Sequence, residues 1–121
     1  MADYEWLEKN GTKILFMHIA SGNEDELREK LEQFSRVIRA QPAQSLLTIS
    51  DVTNGHFDRA MKKLLQDFVQ ANTPYIKKSA IIGVGGLQKV VYNGVIRATG
   101  RKNLVVKKSL EDALAFLISS D

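Results

Sequence analysis

Residues 45–68 read Ser-Leu-Leu-Thr-Ile-Ser-Asp-Val-Thr-Asn-Gly-His-Phe-Asp-Arg-Ala-Met-Lys-Lys-Leu-Leu-Gln-Asp-Phe. Leu46, Leu47, Ile49 and Val52 mark an apolar strand near 45–52, and the polar stretch Asp51 to Gly55 ends it. A helix follows at once, with Phe57, Met61, Leu64, Leu65 and Phe68 on one stripe. A strand that feeds directly into a helix is half of a βαβ unit. The turn between them lies at a strand's carboxyl end and a helix's amino end, where ligands and regulatory groups collect in open α/β sheets.

The same reading extends in both directions. Upstream, segments 4–9 and 12–20 flank Asn10-Gly11, the strongest two-residue hairpin signal, since both residues tolerate positive φ. The second arm, Ile14 to Ile19 with His18 inside it, is apolar almost throughout, which predicts burial on both faces. Asn23 with Glu26 is a capping-box pattern, and Leu27, Leu31, Phe34 and Ile38 form one helical stripe that stops before Pro42. Downstream, Thr73-Pro74 closes the second helix and residues 80–84 make a short apolar strand. Gly85-Gly86 opens a third helix, with Leu87, Val90, Val91 and Val95 facing inward and Gly94 marking close packing against a neighbour. Gly100 is a good helix terminator, and 103–107 is a strand. Ser109 with Asp112 caps a last helix, with Leu110, Ala113, Leu114 and Leu117 inward. The expected order is ββαβαβαβα, an α/β domain over residues 1–121. Its sheet is mostly parallel, with an antiparallel first strand.

Composition narrows the function classes. The 121 residues, 44% hydrophobic, suit one domain. No cysteine is present, so disulfides and thiolate metal sites are excluded and a cytoplasmic setting is expected. Residues 1–10 carry acids and no apolar run, unlike a signal peptide, and no segment has the length of a membrane span. The charge of +3 is unevenly placed: residues 1–58 hold six Lys/Arg against ten Asp/Glu, whereas 59–108 hold eleven against Asp67 alone. Either the basic residues decorate several solvated faces, or they meet an acidic partner or anionic ligand. Lys62, Lys63, Lys89, Arg97, Arg101 and Lys102 are the candidates. Few aromatics accompany them, which argues against a base-stacking nucleic-acid surface.

Motifs for catalysis are weak. Gly83-Val84-Gly85-Gly86 follows a strand and opens a helix, but Gln88 stands where a dinucleotide fingerprint needs glycine, and no Walker lysine follows. It can hold an anion on free amides, or simply make a tight turn. His18 and His56 sit in different elements without carboxylates at ligand spacing, so no metal is implied, nor any cofactor. Ser50, His56 and Asp58 lack a nucleophile elbow. Asp51, Thr53 and Asn54 are each able to cap the second helix, and a hydroxyl there is also placed for phosphorylation, where dipole and amides stabilise a dianion.

Taken together, Leu47-Thr48-Ile49-Ser50-Asp51-Val52-Thr53-Asn54-Gly55 with Phe57-Asp58, then Ala80 to Leu87, resembles the STAS domain of bacterial anti-sigma-factor antagonists and its STAS/SEC14-like relatives. The resemblance covers nearly the whole chain through diffuse motifs. It implies a small, non-catalytic regulatory module that binds a protein partner. In antagonists the switch is a phosphorylated Ser/Thr in the loop Asp-Ser-Ser-Gly-Leu-Gly, directly before the first glycine. Here the residue before the glycine is Asn54 and the nearest hydroxyl is Thr53. Thr53 is therefore the candidate phosphoacceptor. Asp51, Asn54, Gly55, His56, Gly83, Gly85 and Gly86 form the expected partner- or ligand-binding turns. The alternative, drawn from the SEC14-like relatives, is a domain that binds a small anionic or lipid-like ligand.

Overall fold

The computed structural model describes residues 3–55, 57–85, 88–100 and 103–119. The elements are β1 (Tyr4–Lys9), β2 (Thr12–His18), α1 (Glu24–Arg39), β3 (Leu46–Asp51), α2 (Arg59–Asn72), β4 (Ile76–Ile82), α3 (Gln88–Thr99), β5 (Leu104–Val106) and α4 (Leu110–Ile118). They give the ββαβαβαβα order read from the sequence. Five strands pair in chain order, β1-β2-β3-β4-β5. β1 runs antiparallel to β2, and the other three pairings are parallel.

Chain order in the sheet has a geometric consequence. Each parallel crossover steps one strand in the same direction, and crossovers share one hand, so their helices fall on the same face. α1, α2 and α3 accordingly share one core, built on Leu15, Met17, Leu27, Leu31, Phe34, Ile38, Met61, Leu65 and Tyr92. α4 follows the last strand and covers the opposite face, where Ala113 and Leu117 meet Ile14, Phe16, Leu47, Ile49, Ala80 and Ile82.

Local signals explain most boundaries. Asn10 and Gly11 take φ of 52° and 78°, as a two-residue hairpin loop requires. Asn23 Oδ1 accepts the Glu26 amide at 2.8 Å, while Glu26 Oε2 receives the Gly22 amide. All four stripe residues of α1 are buried. Ser109 Oγ accepts the Asp112 amide and starts α4. At Gly94 an added Cβ would stand 3.1 Å from Lys62 Nζ, so α3 does pass close to α2.

Four expectations need correction. The helix after Gly55 begins at Arg59, and its cap is Asp58, whose Oδ1 accepts the Met61 amide at 2.9 Å. Asp51, Thr53 and Asn54 therefore cap nothing, and Phe57 sits in the loop, folded back on Tyr92 with ring centroids 5.5 Å apart. The fourth strand starts at Ile76, not Ala80. A register shift leaves Lys77 unmatched, since Leu46 faces Ile76 and Leu47 faces Lys78. This bulge breaks the alternation that marks a strand. His18 ends β2 and is exposed rather than buried. Leu110 is 40% exposed, so only Ala113 and Leu117 of the last stripe are fully inward, with Leu114 packed partly against them. Leu87 and the side chains of Val90, Val91 and Val95 lie outside what is described.

Candidate functional site

β2, β3 and β4 are mutually parallel, so their carboxyl ends share one edge of the sheet. The chain leaves that edge at His18, at Asp51 and at Ile82-Gly83. Two backbone bonds tie these exits together, Ile19 N–H to the Asp51 carbonyl at 2.9 Å and Val52 N–H to the Ile82 carbonyl at 3.0 Å, and a third runs within the second exit, from Gly55 N–H to the Val52 carbonyl at 2.9 Å. The last closes a tight turn in which Asn54 takes φ 64°, a conformation asparagine accepts more readily than most residues.

Asp51 organises the turn. Its Oδ1 accepts both the Thr53 amide at 3.0 Å and the Thr53 hydroxyl at 2.6 Å. Its Oδ2 points toward His18, whose Nδ1 is 3.9 Å away. Thr53 and Asn54 are exposed, and Gly55 is buried. Gly55 is required there because a Cβ would fall 2.7 Å from the Phe57 ring.

The two sequence-predicted turns touch. Gly83 has φ 82°, and a Cβ on it would lie 2.2 Å from Thr53 Oγ1, 2.7 Å from Thr53 N and 2.8 Å from Asp51 Oδ1. Only glycine lets the Asp51–Gly55 turn rest on the end of β4. The structure thus brings Asp51, Thr53, Asn54, Gly55, Gly83 and Gly85 to one edge. His56 and Gly86 lie outside the described residues.

Beside this turn is a hollow of about 380 Å³, lined by Gly83, Val84, Gly85, Lys89, Val106, Lys107 and Lys108. Its three lysines come from α3 and from the segment after β5, and among the described residues no acid lines it. Of the other basic candidates, Lys63 pairs with Asp67 at 3.0 Å on α2, and Lys62 lies against Gly94. Arg97 is exposed in the last turn of α3; Arg101 and Lys102 are outside the described residues. Sequence reasoning singled out neither Lys107 and Lys108 nor His18 for this edge. The available signal was positional: each follows or ends a parallel strand. Among the described residues no group of three His, Cys, Asp or Glu could hold a metal ion, and no helix is long and apolar enough to cross a membrane.

A five-stranded sheet in chain order, an antiparallel first strand and one helix alone on the second face define a STAS-like fold. The solved structure of an anti-sigma-factor antagonist (STAS) domain protein from Planctomyces limnophilus superimposes with a TM-score of 0.61, over 95% of this chain and 98% of that one, at 15% identity. No family model and no curated protein matches the sequence.

Proposed function

We propose that this chain is a non-catalytic regulatory module that docks a protein partner through the joined Asp51–Gly55 and Gly83–Gly85 turns. The observation that carries this reading is the contact between them, in which Gly83 leaves room for Thr53 and Asp51. Two turns locked together present one preformed surface, and preformed surfaces bind with a smaller ordering cost. The likeness to an antagonist domain supports a partner that is a protein.

Thr53 is the proposed regulatory hydroxyl, for a reason different from helix capping. It is exposed, and its Oγ1 already donates to Asp51. Phosphorylation would remove that donor and set a dianion beside a carboxylate, so the turn would spring open by like-charge repulsion. The test is affinity capture from the source cell with wild-type and Thr53→Glu baits, followed by chemical-shift mapping of the captured partner. Capture lost in Thr53→Glu, with shifts at both turns in the wild type, is the expected result. Shifts confined to the β1–β2 hairpin would overturn it.

A second reading, binding of a small anionic ligand, is favoured by the three lysines Lys89, Lys107 and Lys108 around one hollow. A phosphate titration that shifts these lysines and the Gly83–Gly85 amides would support it. The lipid-like form of that alternative has no comparable support: the interior space between the sheet and α2/α3 is about 40 Å³, too small for an acyl chain.

A further inference from the structure

That interior space carries a different assignment. It is bounded by the sheet, α2 and α3, and its walls are mostly apolar: Met17, Leu65, Ile81 and Leu104 among them. Five polar side chains also line it, Thr48, Ser50, Asn72, Ser79 and Tyr92, and two of them have atoms with no partner among the described residues. Asn72 is wholly buried; its Nδ2 donates to the Phe68 carbonyl and to Ser35 Oγ, while its Oδ1 has no donor. Tyr92 is 3% exposed and its hydroxyl has no partner among the described residues. Burial also pushes the Tyr92 hydroxyl pKa upward, so it stays protonated and can donate. Thr48 Oγ1 and Ser79 Oγ share one hydrogen bond of 2.7 Å. One of that pair donates to the other, and the receiving hydroxyl keeps a proton to offer a third group.

Buried polar atoms are almost always satisfied, and exceptions call for an unseen partner. The lining here offers one bare acceptor, one phenol that both donates and accepts, the Ser50 hydroxyl and one spare hydroxyl proton. A hydroxyl group, donor and acceptor at once, can pair with groups of both kinds. The void leaves about 40 Å³ for the centres of water-sized molecules, against about 10–15 Å³ for one water. Its capacity is therefore a few heavy atoms.

We propose that this space is a built polar site for hydroxyl groups on up to three heavy atoms in all, supplied by ordered water or by one small alcohol, joining Asn72 of α2 and Tyr92 of α3 to the Thr48–Ser79 pair of the sheet. The site lies beneath the helices and shares only the buried Val52 with the turns at the sheet edge.

Water–protein NOE and ROE spectra of the full chain test it, with ethanol as the alcohol probe and xenon as the apolar one. Long-lived water cross-peaks at the Asn72 side-chain amide and the Tyr92 ring, unmoved by ethanol, assign water as the occupant. Their displacement by ethanol, with shifts confined to the lining residues, assigns the alcohol. Tyr92→Phe should remove the cross-peak at the ring and weaken any ethanol shift several-fold. No long-lived water and no ethanol shift would overturn the proposal, whether or not xenon shifts the Leu65, Ile81 and Leu104 methyls to reveal a dry void. The wild-type spectra decide this even if the variant fails to fold.

Discussion

Lys78 ends against Ser119: its Nζ donates to the Ser119 carbonyl at 2.9 Å and to Ser119 Oγ at 3.0 Å, across the carboxyl terminus of α4. It also donates to the Phe116 carbonyl at 3.2 Å. A nearly buried ammonium thus supplies donors to carbonyls that a helix end leaves unsatisfied, with favourable alignment to the helix dipole. Lys78→Met should cost about 1–3 kcal/mol. Chemical denaturation gives the value, and amide exchange should rise in α4 before it rises in α1.

Gly83→Ala should be more damaging at the site than elsewhere. It adds a Cβ at φ 82° and within 2.2 Å of Thr53 Oγ1. The strain should cost about 1–3 kcal/mol. Shifts in the amide spectrum should centre on residues 51–55, and partner binding should fall with them. Gly85→Ala meets no atom of the described residues within 4 Å and is the control for the stability loss alone.

Thr53→Ala and Asp58→Ala separate two roles that one loop invites confusing. Asp58 caps α2, so its loss should cost about 1 kcal/mol and speed exchange at the Met61 amide. Thr53→Ala leaves α2 intact and loosens the Asp51 turn at a cost of about 0.5–1.5 kcal/mol. Equal protection of Met61 in wild type and Thr53→Ala, measured by hydrogen exchange, is the expected signature.

Alkaline stability should report on Tyr92. Burial raises its folded-state pKa above the unfolded value of 10.0. The folded state then holds the proton longer, so this contribution is full below about pH 10 and is lost as pH rises beyond it. Denaturation midpoints should fall above pH 10 in the wild type. Tyr92→Phe should flatten that part of the profile.

Salt dependence tests the basic edge. Attraction between exposed charges is screened over about 8 Å at physiological ionic strength. Partner or phosphate binding that involves Lys89, Lys107 and Lys108 should weaken as salt rises, chiefly through a slower on-rate for a protein partner. An affinity that stays flat would mark these lysines as solvated decoration.

The periodicities that are strictly local were legible in the chain. Asn10-Gly11, the α1 stripe and the order of elements along the chain all follow from spacing alone. The misreadings came from residues whose role depends on distant partners. Lys77 and Lys78 look solvated beside a strand, yet one is a bulge and the other is buried against α4, 41 positions from Ser119. Three polar residues stood ahead of Asp58 as equally good caps, but Phe57 folds back onto Tyr92 in the loop and Asp58 caps α2. At the site, the two turns were legible as carboxyl-end turns. That Gly83 seats Thr53 was not, because sequence carries no contact across 30 residues.

Strand order that equals chain order also bears on biosynthesis. As the polypeptide emerges, each new strand from β2 to β5 docks on an edge already formed, and its crossover helix closes the first face behind it. Folding from the amino terminus is the usual course during translation. The second face is different. Ile14, Phe16, Leu47 and Ile49 wait uncovered until α4, made after every strand, arrives to cover them. Through most of synthesis the nascent sheet therefore carries an apolar surface on one side, and a ribosome stalled before Leu110 would display a ready substrate for chaperones.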